Sequence, residues 1–419
     1  MRFRPTRPSD AVSSPAPAQP TQPPPSRPGA ATGRGPVGGT GGVLSDRDIS
    51  LVRTSLAVVE PQAAELAVYF YAILFTRYPQ VREMFPPGMD EQRGRLLRAL
   101  LRIVDLVDDP DKLVHFCSHL GRDHRKFGTR SEHYGPVGEC LVAALERFAG
   151  PAWNAEVATA WTRAYTAAAQ VMSQAAEDDA RTRPAVWAAR IVQHVQRDYG
   201  LAEITVKPDM PYHYTAGQYL SMETPWWPKA WRYYSPANAP RPDATMTFHV
   251  RAIPGGWVSN ALVRRAAVGD VVRLGPPLGD MLLDPHSRHN ILCVAGGTGL
   301  APIRAMVEQA VQSGWERRMD LLIGARTAGD LYGLESMLRL AQRNHWLSVR
   351  AAVSHEDVPG ARGSLPQVLA EYGPWHRHEA YLSGPPSMVT TAARVLTRYG
   401  VPPTRIHHDP LDSPALPTP

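Results

Sequence analysis

The chain has 419 residues, 43% of them hydrophobic and 20% charged, with a formal charge of +6. That length holds about three domains of ordinary size, and this composition excludes both a chain disordered throughout and a collagen-like repeat. The surplus charge is scattered arginine with no run of five or six basic residues and no zinc-finger or RNA-binding motif beside it, so nucleic acid is not an expected partner.

Residues 1–43 are mostly Pro, Ala, Gly, Ser and Thr. So few large apolar side chains cannot offset the entropy of ordering the chain, and the stretch reads as a disordered arm. From Leu44 the texture changes. Ser45 followed by Asp46, Arg47 and Asp48 has the form of a helix start with acids in its first turn. Leu66, Tyr69, Phe70, Ile73 and Leu74, then Leu96, Leu97, Leu100, Leu101 and Val104, recur at helical steps. Prolines 79, 86, 87 and 110 punctuate the helices, and Gly128, Gly135 and Pro136 are expected to mark a turn. Residues 44–182 therefore read as an all-α domain.

Over residues 185–288 the period changes to that of strands. Ala189, Ile191 and Gln193, then Ile204 and Val206, then Met246, Phe248 and Val250 alternate, and Pro and Gly become frequent. This is the pattern of an antiparallel β-barrel or sandwich. Residues 289–419 alternate strand with helix: Ile291 to Val294, a glycine-rich turn, Pro302 to Ser313, then Met319 to Ile323. That alternation predicts a parallel α/β sheet. No window approaches 18 uninterrupted apolar residues, so no membrane span is expected. The three cysteines, Cys117, Cys140 and Cys293, are far apart. They form no disulfide framework or thiolate metal motif and suit a reducing cytoplasm.

The sharpest local signal is Ala295-Gly296-Gly297-Thr298-Gly299-Leu300-Ala301-Pro302, where a buried strand runs into a glycine turn and then a helix. Glycines there let a pyrophosphate approach the backbone at a helix N-terminus. A tight strand–helix turn also needs glycine for purely conformational reasons, so this motif alone leaves both readings open.

Upstream stand Gly217-Gln218-Tyr219, then Arg232-Tyr233-Tyr234-Ser235, then Gly255-Gly256-Trp257-Val258-Ser259. In that order they resemble the ferredoxin–NADP reductase superfamily. The resemblance implies FAD held by Tyr214, Gln218, Arg232, Tyr233, Tyr234, Ser235, Gly256, Val258 and Ser259. Arg232 would meet the pyrophosphate, Tyr234 would pack on the isoalloxazine, and Ser235 would bond near its redox-active nitrogen. It implies NAD at Gly296, Gly297, Thr298, Gly299, Pro302, Arg326, Ser383, Gly384 and Pro385, with NADH favoured and NADPH possible through Arg326. Ser383 stands where the family usually has Cys. At the C-terminus Asp409 keeps the family's flavin-facing acid, and Leu411 replaces the aromatic that follows it.

In the helical domain, Phe70-Tyr71 through Pro79, Val81 through Phe85, Gly121-Arg-Asp-His124 through Gly128, and Glu132-His133-Tyr134 through Glu139 resemble the globin domain of flavohaemoglobins. This resemblance implies haem b with His124 as proximal ligand, backed by Tyr134 and Glu177. Tyr71 would bond iron-bound O2, Phe85 would wedge the porphyrin, and Gln92 and Leu96 would complete the distal wall.

Together the resemblances imply a multidomain protein: a globin, a β-barrel FAD domain and an α/β NAD domain. The implied activity is an NAD(P)H-dependent nitric oxide dioxygenase, in which hydride goes to FAD, single electrons go to haem, and haem-bound O2 with nitric oxide gives nitrate. O2 and nitric oxide would be the small-molecule partners of a monomer. Two alternatives stay open: a divergent oxidoreductase with another electron donor or acceptor, and a globin sensor of O2 or nitric oxide with its own reductase.

Overall fold

The computed structural model describes residues 44–197, 200–359 and 362–409; the arm over 1–43 and Leu411 lie outside the described residues. Ser45 opens the first helix, α1 (Asp46–Val59). Its hydroxyl accepts from the Asp48 amide at 3.1 Å, while the Asp48 carboxylate accepts from the Ser45 amide at 3.2 Å, the reciprocal cap that the Ser-x-x-acid spacing encodes. α2 (Ala63–Arg77), α3 (Asp90–Asp105), α4 (Pro110–His124), α5 (Ser131–Ala149) and α6 (Ala155–Ala180) follow.

Phe70, Leu74, Leu145 and Trp161 fill the helical core. Among the described residues, Asp46–Arg77 is the one stretch long and apolar enough to cross a membrane. Its Val52, Leu56, Leu66, Phe70 and Leu74 are spent on that core. Two glycines set the helix spacing. A Cβ at Gly121 would stand 2.1 Å from the Met172 carbonyl oxygen, and one at Gly138 would stand 2.4 Å from the Tyr165 ring, so α4 and α5 both press onto α6. Gly128, with φ of 82°, ends the 3-10 turn after α4, as expected. Gly135 and Pro136 do not form a turn, however. Pro136 lies inside α5, in its second turn, where its fixed φ is already helical and one backbone bond is forgone.

The next sheet comprises β1 (Trp187–Arg197), β2 (Leu201–Pro208), β3 (Tyr219–Thr224), β4 (Trp227–Tyr234), β5 (Met246–Arg251) and β6 (Val271–Leu278), with α7 (Trp257–Arg264) between the last two. Its order is β4-β3-β6-β1-β2-β5, and every neighbouring pair is antiparallel. A bridge between Pro236 and Phe248 joins the segment after β4 to β5, so the curled sheet meets itself. Ala189, Ile191, Ile204, Val206, Met246, Phe248 and Val250 all point into its core. Gln193 does not. The register slips between Ile191 and Gln193, and the bulge turns Gln193 outward to solvent.

The third part is a five-stranded parallel sheet of order β11-β10-β7-β8-β9. Its elements are β7 (Asn290–Gly296), α8 (Leu300–Gln312), β8 (Met319–Ala325), α9 (Leu334–Arg343), β9 (Leu347–Val353), α10 (Leu365–Tyr372), β10 (His378–Ser383), α11 (Pro386–Arg398) and β11 (Ile406–His407). The strand order reverses between β7 and β10, and a crevice opens beyond the carboxyl ends of strands at such a point. Side chains of α8 tie this sheet to the barrel: the Ala239 amide donates to Glu308 Oε2 at 3.3 Å and the Ala216 amide to Gln309 Oε1 at 3.2 Å. Arg251 of β5 pairs with Asp330 at 3.6 Å.

Candidate functional site

The crevice at the strand reversal is a cleft of about 890 Å³. Gly296, Gly297, Thr298, Gly299 and Pro302 line it from the β7–α8 turn, Arg326 from the end of β8, and Ser383, Gly384 and Pro385 from the end of β10. The two glycine turns press together. A Cβ at Gly299 would stand 2.3 Å from the Ser383 carbonyl oxygen, and one at Gly384, where φ is +152°, would stand 3.0 Å from the Gly296 backbone. No side chain caps the start of α8; the Leu300 amide donates back to the Gly297 carbonyl of the preceding 3-10 turn, and the glycine-lined helix N-terminus at the cleft favours an anion through its dipole.

The opposite wall carries Tyr233, Tyr234 and Ser235 from the end of β4, with Asp409 nearby. Burial raises the Tyr234 phenol well above its ordinary range, so it stays neutral. Arg232 donates to the Trp231 carbonyl at 2.9 Å. Gly256 starts α7 with buried Val258 behind it, and Ser259 Oγ donates to the Gly256 carbonyl at 3.2 Å. Tyr214 and Gln218 stand apart from the cleft wall. The Tyr214 hydroxyl donates to the Asn238 carbonyl at 2.8 Å, while Gln218 Oε1 accepts from the Thr215 amide at 2.9 Å and its Nε2 donates to the Gly279 carbonyl at 3.5 Å; both spend their polar atoms within the barrel.

One group here, His249, gave little signal as sequence. His249 lines the cleft from β5 and is 5% exposed, with Nδ1 3.3 Å from the Tyr332 hydroxyl and Nε2 unpartnered. Burial, aided by Arg304, pushes it down to about 4, so the ring is neutral. In the sequence it is hidden inside the apolar alternation of a strand. Asp409 is pushed up to about 7 by burial and by Asp280, and its Oδ1 has no partner.

In the helical domain His124 is the last residue of α4. Its Nδ1 lies 2.7 Å from the Leu120 carbonyl oxygen, and Nε2 makes no hydrogen bond among the described residues. Burial lowers its pKa, with Asp123 opposing, which keeps the imidazole in the neutral form that ligates metals. Half-buried apolar side chains flank it on α4 (Phe116, Leu120) and line α3 (Leu96, Leu97, Leu100). Tyr71 of α2 is 5% exposed; its hydroxyl donates to the Gln92 carbonyl at 3.4 Å. The Phe85 ring meets Tyr71 edge-on at 5.5 Å, and Leu96 packs on the same cluster. Tyr71, Phe85, Gln92 and Leu96 are thus brought together.

The group expected behind His124 is not assembled. Glu177 is exposed and accepts from Ser131 Oγ at 3.0 Å, on the solvent side of α6. Tyr134 packs with Cys117, Ala168 and Met172, and burial pushes its phenol up to about 12. The acceptor at His124 Nδ1 is a main-chain carbonyl.

These residues fit the implied groups. One unpaired imidazole nitrogen amid apolar, half-buried walls suits the iron of a porphyrin, which brings its own four nitrogens. Among the described residues no cluster of three or more His, Cys, Asp or Glu is placed to hold a bare ion. The glycine turns at a helix N-terminus suit a dinucleotide.

Comparison with known proteins agrees domain by domain. Residues 68–172 match the Globin family, 191–282 the oxidoreductase FAD-binding domain and 293–394 the oxidoreductase NAD-binding domain. A flavohemoprotein from Bordetella pertussis is 28% identical over 407 residues, covering 87% of this chain and 98% of that one. A naphthalene 1,2-dioxygenase/salicylate 5-hydroxylase reductase component from Ralstonia is 35% identical over 217 residues. That match covers 50% of this chain and 64% of the Ralstonia protein. The structure superposes on a flavohemoglobin from Malassezia yamatoensis, solved with FAD and heme, with a TM-score of 0.74 at 17% identity, over 87% of this chain and 99% of that one. The chain, a globin followed by FAD-binding and NAD-binding oxidoreductase domains, belongs to the flavohaemoglobin family.

Proposed function

We propose that the protein is an NAD(P)H-dependent nitric oxide dioxygenase, with NADH as the preferred donor, acting in the cytoplasm as a monomer. The observation that carries this reading is the pairing, in one helical domain, of a free imidazole nitrogen at His124 with a buried phenol at Tyr71, in the same chain as a glycine-lined dinucleotide cleft. When bound, nicotinamide supplies hydride, FAD converts a two-electron delivery into single electrons, and haem holds O2 for reaction with nitric oxide.

The chain's own residues bind and orient. The glycine turn at the start of α8 would take the pyrophosphate of the dinucleotide, and Arg326, which lines the same cleft, would offer a cation to a 2′-phosphate. Tyr234 offers a flat neutral ring to the flavin, Ser235 a hydroxyl to its edge, and Arg232 a fork-shaped donor to phosphate. His124 would hold the haem iron through Nε2. Tyr71 holds the one buried hydroxyl of its aromatic cluster, tied only by a long bond to the Gln92 carbonyl, and would be the hydrogen-bond donor on the distal side of a bound haem.

Protein loaded with haem and FAD should consume nitric oxide only when O2 and NADH are both present. Consumption no faster than that of the reductase half alone would sink the reading. A second reading, an oxidoreductase with another electron acceptor, is favoured by the carbonyl behind His124, which gives less electron donation to iron than a carboxylate. Faster NADH turnover with a quinone or a lipid peroxide than with nitric oxide would select it.

A further inference from the structure

Lys126 is 3% exposed, yet it lies two residues beyond His124 in the turn that follows α4. A buried ammonium is costly unless its surroundings compensate it. Here Nζ is 2.6 Å from Asp123 Oδ1 and 3.2 Å from Ser221 Oγ. It also sits over three rings, 5.2 Å from the centroid of Phe127, 5.5 Å from Trp231 and 5.1 Å from Tyr233. Asp123 and Phe127 belong to the globin domain. Ser221 is on β3, and Trp231 and Tyr233 are on β4, the strand that also carries Arg232 and Tyr234.

The contact continues as packed rings: His124 to Phe127 at 6.1 Å, and Phe127 to Trp231 at 6.4 Å. β6 makes room for it, since a Cβ at Gly275 would stand 2.3 Å from Ser221 Oγ.

Replacing a buried ion pair by apolar residues is often neutral or stabilising, so Lys126 is a poor device for stability alone. A charge with one carboxylate, one hydroxyl and three ring faces around it fixes a single orientation instead. We propose that Lys126 is the positioning residue for interdomain electron transfer, locking the end of α4 that bears His124 against the strands that hold the flavin. The inference rests on the reading above, that haem and FAD are both bound. Each hydride from NADH carries two electrons: one would reduce ferric haem, the second would follow once O2 and nitric oxide have returned the haem to ferric, and the flavin's proton would pass to water. Tunnelling falls steeply with separation, so a loosened contact slows this step and leaves hydride delivery alone.

The test is anaerobic rapid mixing of the holoprotein with NADH, following flavin bleaching and haem reduction in their own absorption bands. In Lys126→Met, flavin bleaching should stay within about twofold of wild type while haem reduction slows at least about tenfold, the scale expected of a small misplacement. Lys126→Arg keeps the charge and should recover most of the haem rate. Ser221→Ala removes one hydrogen bond and leaves both charges, and should slow haem reduction by about two- to fivefold, as loss of one ordinary hydrogen bond does. The proposal is overturned if both steps fall together in Lys126→Met, if neither changes, or if Ser221→Ala reduces haem at the wild-type rate. Where Lys126→Met fails to load its cofactors, the Arg and Ser221 variants decide. If NADH reduces flavin but never haem in the wild type, the reading of the whole relay fails, and this proposal falls with it.

Discussion

The Nδ1 atom of His124 lies 2.7 Å from the carbonyl oxygen of Leu120, one turn back on α4, while the carboxylate of Glu177 is bonded to Ser131 at the surface. The carbonyl fixes the ring with its proton on Nδ1 and leaves Nε2 as the nitrogen with a lone pair to offer a metal. His124→Ala should therefore lose haem, weakening its affinity by more than the roughly 10–100-fold typical of removing an outer partner, with helical content unchanged by circular dichroism. Glu177→Gln should leave the Soret band unmoved and shift stability by less than about 0.5 kcal/mol, as an exposed site does. A displaced Soret band in that variant would place the carboxylate behind the histidine after all.

Tyr71→Phe removes the phenol and keeps the edge-on contacts to Phe85. A hydrogen bond to bound O2 is worth about 1–1.5 kcal/mol, so O2 should leave roughly tenfold faster in stopped-flow displacement. Carbon monoxide, a poorer acceptor, should be released at nearly the wild-type rate.

Gly299 adopts an ordinary helical backbone with φ of −60°, so its requirement is purely spatial. Gly299→Ala puts a methyl 2.3 Å from the Ser383 carbonyl oxygen. Forcing the two turns apart should cost about 1–3 kcal/mol, as overpacking does. Thermal melting should show that loss, and NADH titration a raised KM. Melting temperature and KM both at wild-type values would mean the turns have slack.

Asp409 gives a pH dependence of definite sign. Its folded value of about 7 lies above the ordinary 3.8 because of burial and Asp280. Between about pH 4 and 7 the folded chain keeps a proton that the unfolded chain has lost. Stability therefore falls as pH rises through that window, by at most about 1.4 kcal/mol per unit from this group, and levels off above it. Asp409→Asn should flatten that slope in urea midpoints taken at pH 5, 6, 7 and 8. An unchanged slope would show that Asp409 ionises normally.

The Arg326 side chain is exposed at the cleft. Arg326→Ala should raise the KM for NADPH at least about tenfold, as loss of a charge-assisted contact does, and leave that for NADH within about twofold. Equal effects on both would assign Arg326 to the shared part of the dinucleotide.

Signals carried by local spacing were legible in the sequence. The Ser45–Asp48 cap, the helical steps through Phe70 and Leu74, and the glycine turn at 296–299 each follow from residues near one another in the chain. What the sequence hid depends on partners far along it. Gln193 has the right spacing to face inward until a bulge against β2 turns it out. Pro136 has the look of a helix breaker until α5 absorbs it near its start. Glu177 lies on a helix whose facing residues, Ser131 among them, are set by how tightly Gly121 and Gly138 let α4 and α5 approach α6. Lys126 is written as one more basic residue in a short turn, and only the docking of β3 and β4 makes it a buried charge.

The adjoining residues Glu308 and Gln309 of α8 each accept a barrel amide, and the first turn of the same helix lines the cleft. The gauge of the slot is thereby set from outside it: the floor cannot drop away from the roof without abandoning two main-chain donors to a dry seam. On the proposed reading, a dinucleotide would enter a slot whose walls are already joined outside it by these two hydrogen bonds.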